Sequence, residues 1–289
     1  MRNDAFDYSY YYKIWHSDTP ESLQNDIRCV TEFIDAHHIC PSDFESKILE
    51  VGCGWGRLML MLQDLGYKNI TGIDIDPSQL KMAEREKLNV FLADAHEFLE
   101  KNNETYDVIY ALDILEHIAK NEQLPLLKLM NEHLSEDGFI VIRVPNGLAP
   151  LLGYFRYSDF THTVSYTDIS LRFLFHNSGF HFSAVRPSHH ESEVVQKLKL
   201  PWARLYRTEF GLTDFLLTPN IVGIAFKNEK AFNRWMATAP EIKNEYLDLT
   251  PPHKKKYFGN LIYKIKGDDS NVLHIGPFKF VRRKKQKTT

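Results

Sequence analysis

The chain has 289 residues, 43% of them hydrophobic, so it can bury a large core. Its 35 Lys and Arg residues against 38 Asp and Glu residues give a formal net charge of −3, which argues against a general attraction to nucleic acid. No run of about 18 apolar residues occurs, and the N-terminus lacks the pattern of a signal peptide. Cys29, Cys40 and Cys53 show no CxxC spacing, so neither a disulfide framework nor a structural zinc site is predicted. We expect a globular, cytoplasmic enzyme with reduced thiols.

Residues 1–46 are predicted to form an aromatic and helical cap ahead of the main domain. The stretch ESLQNDIRCVTEFIDAHH has the character of a helix. An aromatic cluster precedes it, formed by Tyr8, Tyr10, Tyr11, Tyr12 and Trp15. We expect these rings to pack against the domain or to cover a bound ligand.

Residues 47–227 alternate short β-rich runs with helical runs, which predicts a doubly wound α/β domain with helices on both faces of a mostly parallel sheet. The predicted strands are KILEVG, NITGIDI, NVFLAD, YDVIYAL, GFIVIRV, HFSAVRP and NIVGIAF. Amphipathic segments such as PSQLKMAEREKL and EQLPLLKLMNEHL lie between several of them. Pro77 is expected at a helix start, and Asp137 with Gly138 is expected to form a turn before the fifth strand.

Residues 228–289 fit neither this alternation nor a repeat and are interpreted as a C-terminal appendage. AFNRWMATAPEIKNEYL is predicted to be helical, and GNLIYKIKG is predicted to contain a strand. Six basic residues lie in the tail: Lys279, Arg282, Arg283, Lys284, Lys285 and Lys287. The tail is either a solvated end or a weak contact for anionic lipid, polyanionic glycan or nucleic acid.

Three glycines follow the first predicted strand in the sequence GCGWG. Gly52, Gly54 and Gly56 would let a ligand approach the backbone where a strand passes into a helix, as nucleotide ligands do at the carboxyl edge of a parallel sheet. A dinucleotide fingerprint would need its third glycine at the position of Arg57. The pattern therefore argues against NAD.

Acidic residues end the next two predicted strands. Asp74 follows about 20 residues after the glycine turn, where a carboxylate can accept hydrogen bonds from ribose hydroxyls. Asp94 ends the third strand, where it could bind the amino group of an adenine while Ala95 leaves space beside the ring. Each acid could instead be an ordinary helix N-cap.

Together these segments resemble class I S-adenosylmethionine-dependent methyltransferases over residues 47–227. ILEVGCGWGR is similar to the family's first motif, GIDIDPSQLKMA to its ribose-binding motif, LADAHEFL to its adenine motif, and YDVIYALDILEHI to its fourth strand and following loop. The resemblance implies S-adenosylmethionine as cofactor and a last strand that runs antiparallel. It implies that the cofactor is bound by Glu50, Gly52, Gly54, Gly56, Asp74, Ile75, Asp94, Ala95, Leu112 and Asp113.

Two segments offer groups that could act on an acceptor. The loop VPNGLAPLLGYFRYSDFTHTVSYT contains Arg156, Tyr157, Asp159 and His162, and we predict that His162 is a general base oriented by Asp159. The alternative is that His162 only attaches this loop to the following helix, TDISLRFLFHNSGF.

The segment LEHI is the second candidate and contains Glu116 and His117. His117 is kept as a catalytic candidate, although it could simply pack at a helix start. The segment SHHE, residues 188–191, lacks further spaced ligands and is interpreted as a polar turn. No metal site is predicted.

The loop from VPNGLAP to FLFHNSGF also resembles methyltransferases of bacterial surface-polysaccharide biosynthesis. This narrower resemblance implies O-methylation of a sugar hydroxyl on a surface glycan or its activated precursor. Another small-molecule or lipid-linked acceptor is the alternative within the same enzyme class. A binding module that holds the cofactor without transferring the methyl group is the alternative outside it. The sequence gives no indication of the oligomeric state.

Overall fold

The computed structural model describes residues 19–212 and 215–240, and three short strands between residues 263 and 281. The chain divides into two compact units, residues 1–192 with 216–244 and residues 193–215 with 245–289. The aromatic cluster at Tyr8 to Trp15 lies outside the described residues, as do the tail residues from Arg282 onward. The predicted roles of these two segments stay predictions.

One seven-stranded sheet forms the centre of the first unit, in the order β3-β2-β1-β4-β5-β7-β6. The strands are β1 (Lys47–Val51), β2 (Asn69–Asp74), β3 (Val90–Leu92), β4 (Tyr106–Leu112), β5 (Leu134–Pro145), β6 (Phe182–Pro187) and β7 (Asn220–Phe226). Strands β1 to β5 pair in parallel, whereas β7 runs antiparallel to both β5 and β6. The predicted α/β fold is confirmed, including its seven strands and the antiparallel strand.

Nine helices lie within the described residues, and several of them begin at polar caps. They are α1 (Pro20–His37), α2 (Arg57–Asp64), α3 (Pro77–Arg85), α4 (Ala95–Lys101), α5 (Lys120–Glu132), α6 (Leu152–Tyr157), α7 (Asp168–Asn177), α8 (Glu193–Phe210) and α9 (Glu229–Thr238). Helix α8 belongs to the second unit. The Asp76 side chain caps α3 by accepting from the Ser78 N–H, with Pro77 at the predicted first position. Thr167 and Ser170 form a reciprocal capping box at α7.

The predicted turn at Asp137 and Gly138 lies within β5, which begins earlier than expected at Leu134. The pairing with β4 moves from Tyr106 opposite Leu134 to Val108 opposite Phe139. Four β5 residues therefore stand opposite one β4 residue between these two pairings, so β5 takes up three extra residues as an irregularity in the strand rather than as a turn before it.

Two apolar clusters cover the two faces of the sheet. Leu49 and Ile109 belong to one cluster, while their chain neighbours Ile48 and Val108 belong to the other, and all four are fully buried. Successive strand residues point to opposite faces of the sheet. A strand that is covered on both faces therefore has apolar residues at both odd and even positions. The buried strands hold their carboxyl ends at one edge of the sheet, and the polar residues of the candidate site lie at that edge.

The first unit extends beyond the boundary predicted at residue 227. The α9 residue Trp235 stacks near Phe226 at 5.4 Å between ring centroids, and its indole N–H donates to the His37 carbonyl oxygen at 3.0 Å. These contacts attach both α1 and α9 to the sheet. Both helices thus belong to the first unit, and the domain division predicted at residues 46 and 227 stays a prediction.

The described part of the second unit comprises α8 and a three-stranded antiparallel sheet. Its strands are β8 (Tyr263–Ile265), β9 (Val272–Ile275) and β10 (Phe278–Val281), in the order β10-β9-β8. Strand β8 lies inside the segment GNLIYKIKG, where a strand was predicted. Among the described residues, no helix has the length and apolar character needed to cross a membrane.

Candidate active site

The GCGWG segment forms a tight turn between β1 and α2. Gly52, Gly54 and Gly56 all have positive φ angles, of 72°, 51° and 76°. The Gly52 N–H donates to the Ile73 carbonyl, the Gly54 N–H to the Asp74 carboxylate, and the Gly56 N–H to the Cys53 carbonyl. The glycines thus act by allowing this backbone path, because their own N–H groups are used within the protein.

Two of these glycines are also required by close packing. A Cβ atom on Gly52 would lie 2.0 Å from Ile114 Cδ1, in the loop after β4. A Cβ atom on Gly56 would lie 2.2 Å from Leu88 Cδ1, between α3 and β3. Gly52 therefore brings the first loop against the β4 loop, and Gly56 has a packing role.

Asp74 at the end of β2 connects the glycine turn to the start of α3. Its Oδ2 accepts from the Gly54 N–H at 2.9 Å, and its Oδ1 accepts from the Asp76 N–H at 2.9 Å. Each carboxylate oxygen has further lone-pair capacity, so ribose hydroxyls could still donate to it. Burial raises the pKa of Asp74, and these backbone bonds partly oppose that rise. The next residue, Ile75, is 59% exposed and presents an apolar surface at the same edge.

Asp94 is an N-cap in the structure, as its alternative interpretation stated. Its Oδ1 accepts from the N–H groups of His96 at 2.9 Å and Glu97 at 3.3 Å. Both bonds use one oxygen of a half-exposed carboxylate, so its Oδ2 can still accept from an adenine amine. Ala95 is buried beside it.

Glu50 near the end of β1 is buried, and its Oε2 has no hydrogen-bond partner within the described part of the chain. Burial raises the pKa of Glu50 well above its usual range; Asp74 adds to this, and Arg143 opposes it. Such an orphaned buried carboxylate oxygen suits a cationic ligand group.

Asp113, which follows Leu112 at the end of β4, is held by an ion pair to Arg143 of β5. The Arg143 Nε lies 3.0 and 2.9 Å from the two Asp113 oxygens, and Nη2 also bonds to Oδ2. The Asp113 backbone is at φ 57° and donates its N–H to the Arg143 carbonyl. The Asp113 side chain is thus committed to Arg143, and the half-buried Leu112 packs beside it toward the second cluster.

Arg143 is a site residue that the sequence analysis missed. The nearby carboxylates of Asp113, Glu116 and Glu50 raise its pKa in that order, against the effect of burial. It is therefore the common counter-charge of one residue on β1 and two residues in the loop after β4. A single arginine inside the apolar strand GFIVIRV was the available signal, because a charge on a buried strand needs a partner.

The second polar cluster, which we call the Glu116–His117–His162 cluster, lies between the β4 loop and the loop after α6. The rings of His117 and His162 meet edge to face with centroids 4.7 Å apart, and His162 Nε2 lies 4.0 Å from Glu116 Oε1. Glu116 is 1% exposed, and burial followed by Asp113 raises its pKa well above the usual range. Burial and the neighbouring His162 lower the pKa of His117 to about 4.

The predicted pairing of Asp159 with His162 differs from the hydrogen bonds in the structure. Asp159 Oδ1 accepts from the Thr161 N–H at 2.8 Å and the Thr161 hydroxyl at 2.6 Å. The Thr161 Oγ1 lies 2.7 Å from His117 Nδ1. An Asp side chain readily bonds the backbone two residues on, and this local turn directs Asp159 to Thr161 and through it to His117. His162 instead faces Glu116.

Hydrogen bonds from the backbone and the side chain of Thr163 attach this loop to the residues after β4. The Thr163 N–H donates to the Glu116 carbonyl at 2.7 Å, and the Thr163 hydroxyl donates to the same oxygen at 2.9 Å. Arg156 donates to the Thr163 carbonyl at 2.8 Å. Two aromatic side chains of the loop, Tyr157 and Phe160, are about three-quarters exposed, at 76% and 77%.

These residues fit S-adenosylmethionine. The orphaned Glu50 oxygen suits the methionyl amine, the spare acceptor capacity of Asp74 suits ribose, and Ile75 with Asp94 suits adenine. The parallel pairing of β1 with β2 places the first two of these groups at adjacent strand ends.

Comparison with known proteins identifies the family. A family model described as a methyltransferase domain matches residues 31–184, more than half of the chain. The structure resembles a SAM-dependent methyltransferase from Archaeoglobus fulgidus with a TM-score of 0.58 and 20% identity, covering 77% of this chain and 100% of the other. This structural likeness supports the fold.

Curated relatives match a shorter region. A ubiquinone biosynthesis O-methyltransferase of Rickettsia canadensis is 32% identical over 123 residues, 40% of this chain and 49% of the relative. An N-methyltransferase 4 of Papaver somniferum is 38% identical over 106 residues, 33% of this chain and 29% of the relative. The chain thus spans about half or less of these relatives. Residues 31–184, which the family model matches, contain the glycine turn, both acidic strand ends and the β4 loop. The chain belongs to the methyltransferase-domain family as an S-adenosylmethionine-dependent methyltransferase.

Proposed function

We propose that this enzyme methylates a hydroxyl oxygen, and that the acceptor is a phenol or another small or lipid-linked hydroxyl compound. The Glu116–His117–His162 cluster carries this proposal. Methyl transfer from a sulfonium mainly requires alignment of the acceptor, which suffices for an amine. A hydroxyl is a poor nucleophile until its proton leaves, so it needs a proton-accepting side chain more than a neutral amine does.

His162 is the proposed base within this cluster. Its Nε2 lies 4.0 Å from a Glu116 oxygen, so Glu116 in its ionised form stabilises the imidazolium that forms when the ring takes a proton. In this proposal Asp159 and Thr161 position His117, and His117 in turn packs against the base. S-adenosylmethionine supplies an electrophilic methyl group, and the chain's residues hold the acceptor oxygen in line and accept its proton.

The aromatic surface of the loop and the named relatives support a phenolic acceptor. Tyr157 and Phe160 present exposed rings that can stack on a planar acceptor. Several relatives, from Rickettsia and other bacteria, are named for ubiquinone biosynthesis. The names reported above give no support to a glycan acceptor. The loop resemblance to surface-polysaccharide enzymes keeps a sugar hydroxyl as the second candidate, since exposed aromatic rings also stack on sugar faces.

The test supplies methyl-labelled S-adenosylmethionine with a catechol, an amine and a nucleotide sugar as separate acceptors. We expect label in the catechol, and at least a 100-fold lower kcat in His162→Ala, on the order that loss of a general base costs. His176→Ala, an exposed histidine of α7, is the matched control and should retain full activity. Label only in the amine would refute hydroxyl methylation, and label only in the nucleotide sugar would replace the phenol by the second candidate.

A further inference from the structure

We propose that Glu116, His117 and His162 form a binding site for a divalent transition-metal cation such as Zn²⁺. Each residue offers one ligand atom, and these three atoms all lie within 4.8 Å of one another, the one such group of at least three found among the described residues. Two imidazoles and one carboxylate form a donor set that Zn²⁺ uses in catalytic sites. No metal site was predicted, because the ligands come from two segments far apart in the sequence.

The carboxylate provides the first independent observation. Glu116 is 1% exposed, and its Oε2 is buried without a hydrogen-bond partner in the described part of the structure. Burying a carboxylate oxygen in this state costs free energy, because the oxygen has lost its hydration and has not gained a hydrogen-bond donor. A cation bound between this group and the two rings would satisfy it.

The hydrogen bonds of Thr161 provide the second observation. Asp159 Oδ1 can only accept, so the single hydroxyl hydrogen of Thr161 points to Asp159 at 2.6 Å. The Thr161 oxygen therefore accepts from His117 Nδ1, 2.7 Å away. This tautomer leaves the lone pair of His117 on Nε2. Metal-ligating histidines characteristically donate their other ring N–H to such an outer partner.

The loop that carries His162 is fixed on both sides of that residue. Thr161 on one side bonds to His117, and Thr163 on the other side bonds twice to the Glu116 carbonyl. His162 thus joins the other two ligands without a large rearrangement of the loop. Zn–N and Zn–O distances are about 2.0–2.2 Å, so the three donor atoms would draw closer together around the ion.

The role of the cation rests on the proposed function, whereas its binding does not. Three protein ligands leave at least one coordination position for an acceptor oxygen, and a cation there lowers the pKa of the hydroxyl. The acceptor O–H bond breaks and its proton passes to solvent, and the O–CH₃ bond forms as the sulfonium S–CH₃ bond breaks. His162 is then a ligand, and the cation activates the hydroxyl in place of the proton transfer to His162 proposed above.

The test measures metal binding by the full chain without reference to activity. The chain is stripped with a chelator and titrated with Zn²⁺ against a chromophoric competitor, and with Co²⁺ by its visible absorption. We expect one high-affinity site per chain, and an affinity at least ~100-fold weaker in both Glu116→Gln and His162→Gln, as expected for loss of a direct ligand. His162→Gln changes a loop residue and keeps the test valid if Glu116→Gln does not fold.

His176→Gln combined with His181→Gln is the matched control. These two exposed rings lie 5.2 Å apart and are the natural place for adventitious Zn²⁺. Binding that disappears in the control, or that survives both site variants, would overturn the proposed site. Full methyl transfer by the stripped enzyme would overturn the cation's role and leave the proposed function intact. Zn²⁺ bound by the three residues without hydroxyl methylation would support the site and count against the proposed function.

Discussion

The cofactor half and the acceptor half of this site are assembled by different kinds of contact. On the cofactor side, Asp74 and the glycine turn lie 20 residues apart and meet because neighbouring parallel strands end together. On the acceptor side, Thr161 reaches His117 across 44 residues, through a loop with no regular structure at that point. The first half depends on backbone geometry, and the second depends on individual side-chain hydrogen bonds.

This difference predicts how each half responds to substitution. Changes in the glycine turn should act through sterics and strongly weaken binding, because a side chain at a positive φ strains the backbone and also meets a neighbouring side chain. Changes in the acceptor loop should act through the orientation of one ring, and a conservative replacement should restore it. Arg143 contacts or faces acidic residues from both halves and should affect both.

The largest effect is expected for Gly52→Ala. The new Cβ would lie 2.0 Å from Ile114 Cδ1 at a φ of 72°, so the Ile114 side chain or the turn must move and alanine is held in a strained conformation. We expect cofactor affinity, measured by calorimetry, to fall on the order of 1000-fold. Gly211→Ala is the control, because Gly211 has a similar φ of 67° with nothing within 4 Å of the new Cβ. Normal cofactor affinity in Gly52→Ala would show that the turn is not set by close packing.

The next largest effect is a loss of folding stability at acid pH, and it concerns the scaffold rather than the site. Burial, followed by Arg186, His190 and Arg143, lowers the pKa of His37 from 6.5 to about 4, while its bond to the Ser188 carbonyl opposes the shift. The folded state therefore favours neutral His37, and its contribution to stability is complete above pH 6.5 and is lost as pH falls toward 4. The loss amounts to about 3 kcal/mol for the shift to about 4.

Urea unfolding from pH 7 to 4 measures this contribution by comparing the native chain with His37→Gln, whose side chain can still donate to Ser188. The native protein should lose stability more steeply between pH 6.5 and 4. Parallel pH curves for the two proteins would contradict the burial of a neutral His37.

Arg143→Met should weaken both halves of the site at once. It leaves Asp113, Glu50 and Glu116 without their common counter-charge. We expect the free energy of unfolding to fall by about 2 kcal/mol, reduced from the full cost of a broken buried pair because the Arg143 and Asp113 side chains are 26% and 38% exposed. Cofactor affinity and methyl transfer should both decrease.

Arg234→Met is the matched control for that variant. Arg234 pairs with Asp137 at 2.8 Å on the surface, so its loss should cost less than about 1 kcal/mol. Equal losses of stability in the two variants would show that Arg143 is an ordinary surface ion pair.

The sequence predicted the cofactor half well because regular structure places its residues. Asp74 and Asp94 each follow a recognisable strand, and the carboxyl ends of parallel strands meet at one edge. The same pattern could not distinguish Asp94 as N-cap from Asp94 as ligand, since its position is the same for both.

The acceptor half was predicted as a set of residues without its contacts. His117, Asp159 and His162 do lie together, but spacing in the sequence suggested that Asp159 would orient His162. An Asx turn joins Asp159 to Thr161, only two residues further along the chain, and takes precedence locally. The contact from Thr161 to His117 depends on where the whole loop lies. Such a contact leaves no pattern in a single sequence.

The smallest effect, and the most specific one, is expected for Thr161→Val. Valine has nearly the same shape but cannot connect Asp159 to His117, so the ring loses the partner that fixes its tautomer. We expect kcat to fall about 10-fold, with the KM for S-adenosylmethionine and the unfolding free energy nearly unchanged. Thr161→Ser keeps the hydroxyl and should recover most of the rate. An equally slow Thr161→Ser would assign the loss to the missing methyl contact, and the connection from Asp159 to His117 would then have no part in the reaction.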